Sequence, residues 1–198
     1  MIIVIAIALT MAGVTATYFM PLMNQQHVAT AYNLTLTTLR RAREQAEGDM
    51  RIYVVSFTPP RTITVQAAGA GNTTCTFAPT GTVVLTTVLP ADISFATLGS
   101  FPTSNTSTAP PTTPDAFGVA AFPVDLDQAN NNPNVASVCF NPDGTATDNI
   151  GSMAGGVIYL TRGTDPYSSR AVTLWGSTGR IRGWRLYNVA GANTWKQQ

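Results

Sequence analysis

The 198-residue chain sets 11 Lys or Arg against 10 Asp or Glu, a net charge of +1, so overall charge points to no class of partner. The length has room for one ordinary domain and an appendage. One histidine and two widely spaced cysteines fall short of the four ligands of a structural zinc site, and no metal or cofactor is expected.

Charge is unevenly placed. The first charged side chain is Arg40, counting His27 as neutral. Residues 62–161 hold six Asp and no Lys or Arg, whereas residues 162–198 hold six basic residues and one acid.

The opening "MIIVIAIALTMAGVTATYFMPLM" lacks the basic region of a secretory signal, although "VTA" at 14–16 resembles a cleavage site. About 20 apolar residues suffice to cross a bilayer as a helix, so residues 1–23 are expected to be the transmembrane half of a helix. Residues 24–50 continue it as an amphipathic half. Val28, Ala31, Tyr32, Leu36, Leu39, Ala42, Arg43 and Ala46 recur at helical spacing, opposite Gln25, Gln26, Asn33, Thr37 and Arg40. Gly48 and Asp49 supply a stop, and Pro21 is expected to bend a helix about 70 Å long. The small residues Ala6, Ala8, Ala12, Gly13 and Ala16 permit close helix approach, so with Pro21 they mark an assembly helix.

From Arg51 the period changes to two, and residues 51–198 read as a β-rich head. Strands are expected at 51–58, 61–67, 73–77, 82–88 and 92–98, with a hairpin corner at Pro59–Arg61. Residues 99–116, rich in Ser, Thr and Pro, read as an exposed loop. Strands resume at 135–140, 155–161, 170–176 and 180–187, separated by turns at "FNPDG" and "GSTG". Cys75 and Cys139 each sit in a strand-like run and are expected to form one disulfide.

In this order the chain resembles type IV pilins and type II secretion pseudopilins. "VCFNPDGTAT", "GGVIYLT" and "RAVTLWGSTGRIRGW" are similar to the head of the GspH/FimT-like minor pseudopilins, with an F-x-P-D-G turn, an apolar strand and a final GR-x-R hairpin. The resemblance covers the helix and roughly residues 135–185. It implies an α+β, pilin-like fold, with a long N-terminal helix, transmembrane and then amphipathic, packed on an antiparallel β-sheet head. It also implies a structural subunit that assembles through that helix with other pilin or pseudopilin subunits into a type II secretion pseudopilus or type IV pilus. Before assembly the chain would sit in the bacterial inner membrane, single-pass, with its head in the periplasm; the filament could reach the cell surface. The basic leader, aromatic residue and glutamate of the family have no counterpart here. The sequence is therefore expected to start downstream of the family's N-terminus, and processing and N-methylation are carried over to no residue.

No catalytic residue is expected. His27 reads as a polar residue at the membrane edge, remote from any Ser–Asp pair of the head. The pairs Asp125/Asp127 and Asp143/Asp148 read as solvated turn residues, with weak calcium binding the lesser alternative. Arg180, Arg182 and Arg185 beside Trp184 could contact DNA phosphates and bases, the second reading of function, or a neighbouring subunit. A third reading is a secreted or membrane-anchored β-domain for ligand binding or adhesion.

Overall fold

The computed structural model describes residues 2–69, 71, 74–76, 81–102, 122–126 and 135–198; within the N-terminal helix, side chains are described for Met11 and from Gln25 onward. Among the described residues one α-helix, α1 (Ile2–Asp49), precedes eleven strands: β1 (Tyr53–Thr58), β2 (Thr62–Ala67), β3 (Thr82–Val88), β4 (Ser94–Phe95), β5 (Val124–Asp125), β6 (Ser137–Phe140), β7 (Ala146–Thr147), β8 (Gly155–Thr161), β9 (Arg170–Trp175), β10 (Arg180–Val189) and β11 (Ala192–Gln197).

The strands form two antiparallel sheets, ordered β3-β2-β1-β6-β7 and β11-β10-β9-β8-β4, with β5 also paired to β8. Among the described residues no helix is long and apolar enough to cross a membrane. These two findings correct the expected pilin-like fold, a long helix, transmembrane and then amphipathic, on one antiparallel sheet. The molecule is sheet-rich and its strands divide between two sheets. The absence of a membrane-crossing helix also corrects the single-pass inner-membrane placement. The side chains of the assembly residues Ala6, Ala8, Ala12, Gly13, Ala16 and Pro21 lie outside the described residues, as does the Ser/Thr/Pro-rich loop from 103 onward.

The helical stripe is where its spacing puts it. Val28, Ala31, Tyr32, Leu36, Leu39, Ala42 and Ala46 are buried, while Gln25, Gln26, Asn33, Thr37 and Arg40 are exposed. Four of the residues from Thr30 to Thr38 are threonines, poor helix formers. Thr35 Oγ1 donates to the Ala31 carbonyl at 2.9 Å and Thr37 Oγ1 to that of Asn33 at 2.7 Å, bonds that add little to helicity. Packing therefore holds this segment helical; burying a side chain the size of Leu39 contributes about 2–3 kcal/mol.

Both sheets meet that stripe in one core. Tyr53, Val55 and Phe57 of β1, Ile63 and Val65 of β2 and Phe140 of β6 reach it from one sheet, and Ile158, Leu160, Val172 and Leu174 from the other. Alternation sends the intervening residues elsewhere. Ile52 and Val54 pack with Ala68 around the disulfide Cys75–Cys139, whose Cα atoms are 5.9 Å apart. Val157 and Tyr159 join Phe101, Trp184, Leu186 and Trp195 in a second cluster behind β8–β11. Because both faces of β8 are covered, all seven of its residues are buried, which accounts for the unbroken apolar run "GGVIYLT".

Close approach explains two glycines. A Cβ on Gly183 would lie 1.7 Å from the Tyr32 hydroxyl, so the bare backbone of β10 is what lets α1 settle on the sheet. Gly179 has φ +59° and faces the Gly144 carbonyl, where a Cβ would fall 2.1 Å away. The "FNPDG" and "STGR" turns thus meet, beside the Arg43 side chain.

Several strands differ from expectation. The run 92–98 pairs only over Ser94–Phe95, and Cys75–Thr76 of the run 73–77 are not in a strand. Strand β10 extends two residues past the expected end, to Val189, and turns at Ala190–Gly191 into β11.

Candidate functional site

The junction between α1 and the head is built around Asp92. It lies in the turn before β4, and its carboxylate takes partners from two other elements. Arg162 Nε, just past β8, donates to Oδ2 at 2.7 Å, and His27 Nδ1, on the helix, lies 3.0 Å from Oδ1. An ionised carboxylate only accepts, so Nδ1 carries the proton in this pairing. Partial burial pushes the Asp92 carboxyl upward, but the bonds from Arg162 and His27 prevail and hold it below its usual value. His27 is thus a strut between helix and head, which corrects its reading as a membrane-edge residue.

Beside this strut opens a cleft of about 240 Å³, lined by Gln25 and Val28 of α1, Arg162, the segment Asp165–Ser168, Arg170 and Arg185. The 3₁₀ turn Pro166–Ser168 is capped by Asp165, whose carboxylate accepts from the Tyr167 N–H at 3.0 Å. Arg170 of β9 stands opposite Arg185 of β10. Burial, with the Arg185 charge adding to it, pulls the Arg170 guanidinium down to about 10. Charge patterning marked the basic tail but not this pair, because Arg170 and Arg185 become neighbours only through the β9–β10 register.

The candidate Arg cluster is divided by the sheet. Arg180, Arg182 and Trp184 share one face of β10, as alternation requires, whereas Arg185 points to the other, toward the helix. Trp184 is buried, with its indole N–H donating to Thr173 Oγ1 at 2.9 Å. Arg182 Nη1 donates to Gln197 Oε1 at 3.3 Å across to β11.

The acidic pairs also separate. Asp125 and Asp148 are buried, which corrects their reading as solvated; Asp127 lies outside the described residues. Asp148 Oδ1 accepts from the Ile150 and Ser152 N–H groups and ties a tight loop. Asp143 is exposed and accepts from the Thr145 N–H and hydroxyl, which hold its carboxyl below the usual range. Among the described residues no three His, Cys, Asp or Glu side chains converge on a point where a metal could sit. A wider cavity of about 650 Å³ lies against the disulfide, lined chiefly by turn residues from Met50 to Ile52 and Asn141 to Gly151.

No protein-family model matches the chain, and no curated protein or solved structure is significantly similar to it.

Proposed function

We propose that the chain is a structural, non-enzymatic subunit that assembles with other copies or similar subunits through its N-terminal helix, in a filament of the pseudopilus or type IV pilus kind. The observation that carries this reading is the length of α1 together with the uncharged sequence of its first half. The helix runs 48 residues, and among the described residues the stripe that docks on the head runs from Val28 to Ala46. A helix of that length extends about 70 Å, and 23 residues of it, some 35 Å, precede Gln25. Residues 2–23 carry no charge, and such a surface is suited to packing against like helices through its small residues. The head supports the reading by giving the helix a rigid mount, with the His27–Asp92–Arg162 strut at the point where the stripe begins.

DNA binding through Arg180, Arg182 and Trp184 receives less support, since a tryptophan buried against Thr173 is not free to stack on a base.

Photo-cross-linking from the exposed position Met11 in the full chain tests the assembly reading, with Ile150 on the head as control. The expected result is a ladder of adducts with copies of this chain or with co-expressed subunits, obtained from position 11. A folded head that yields only uncross-linked monomer from position 11 would overturn it.

A further inference from the structure

We propose that the cleft between the turn Pro166–Ser168, the facing ends of β9 and β10 and the Gln25–Val28 turn of α1 binds a carboxylate, held between Arg170 and Arg185. The two guanidinium-bearing residues are cross-strand partners, an arrangement in which like charges repel. Arg170 is only 8% exposed, and its Nη1 donates to the carbonyls of Ser168 at 3.3 Å and Ser169 at 3.1 Å, so its guanidinium is fixed in place. Arg185 Nε is sealed from solvent with no acceptor among the described residues. The Arg185 guanidinium carbon lies 5.1 Å from the centre of the Tyr187 ring, a contact that orients the group without neutralising it.

The nearby acids are otherwise engaged. Asp92 holds Arg162 and His27, and Asp165 caps the 3₁₀ turn. None of the ion pairs formed among the described residues includes Arg170 or Arg185. A buried guanidinium facing a second, half-buried one is costly unless an anion joins them. A planar carboxylate matches the guanidinium fork in shape and charge. At about 240 Å³ the cleft is smaller than the roughly 300–1,000 Å³ of pockets that enclose drug-sized ligands, so it suits a small carboxylate or a single acidic side chain. The same chemistry can come from a free metabolite-sized acid or from an Asp or Glu of a second copy.

The test uses the full chain, with glutarate as the free probe and chloride at matched ionic strength as reference. Glutarate at ten times its Kd should raise the unfolding midpoint by roughly 3–6 °C for a chain of this size. Arg185→Gln should abolish that rise and, by removing the repulsion, leave the ligand-free midpoint unchanged or higher; Arg170→Gln is the second variant. Sedimentation velocity separates the two sources. Association that glutarate reverses and Arg185→Gln weakens assigns the site to a second copy's acid, whereas a thermal shift with association unchanged assigns it to a small acid. A wild-type chain showing neither effect overturns the proposal, as does a glutarate shift that survives in both variants.

Discussion

Met50 holds a left-handed backbone conformation, φ +52°, at the point where α1 ends. The Arg51 N–H reaches back to the Ala46 carbonyl at 3.2 Å, the outer bond of a Schellman cap, so Met50 occupies the position that usually falls to glycine. Its side chain is exposed and contributes little packing in return. Met50→Gly should therefore stabilise the protein by about 1 kcal/mol, the strain of an L-residue in that region less the added freedom of the unfolded chain. Urea unfolding should show a higher midpoint with an unchanged slope, and a lower midpoint would contradict this account of the cap. The helix ends at Asp49, within the stop expected at Gly48 and Asp49. The Tyr53 hydroxyl, donating to the Asp49 carboxylate, and the burial of Ile52 hold the chain where it leaves the helix, and a local glycine signal contains neither contact.

Among elements, legibility tracked how strongly one face is buried. The stripe of α1 and the alternation of β2 could be read directly, because each buries one face and leaves the other more exposed; β1 is buried on both faces over Tyr53–Val55 and is legible from its β-branched run instead. Strand β11 could not: its one buried apolar side chain is Trp195, and an edge strand needs no alternating pattern. Strands of two residues, such as β4, β5 and β7, are too short to have a period. The cysteine pairing was readable because only two cysteines exist. That bond joins β6 to the segment around Thr74–Thr76 across 64 positions. Restricting the unfolded chain over that span is worth about 2–4 kcal/mol. The double variant Cys75→Ala/Cys139→Ala should unfold roughly 5–15 °C lower in calorimetry, at about 2–4 °C per kcal/mol for a chain this long. An unchanged midpoint would mean that the cluster of Ile52, Val54 and Ala68 holds the segment unaided.

At the scale of the whole molecule, the division into two sheets is what local pattern could not supply. Ser56 and Ser137, hydrogen-bonded partners on β1 and β6, are 81 positions apart, and nothing in either run specifies the other. The helix then binds the two halves through its buried stripe, and polar attachment is concentrated at Asp92. Because the folded carboxyl of Asp92 is held below its ordinary value, it adds stability above the unfolded value near 3.9. That contribution disappears as pH falls through the lower folded value. Asp92→Asn should thus be less stable than the wild-type chain at pH 6, by about 1 kcal/mol for this half-exposed pair of contacts. The two proteins should converge near about pH 2, where the wild-type carboxyl is protonated too. Asp143, also held low, is present in both and cancels in the comparison. Denaturation midpoints across the acid range measure the difference directly. A gap that stays constant with pH would show that Asp92 acts through shape and hydrogen bonding alone, and that its charge does not fasten the helix to the head.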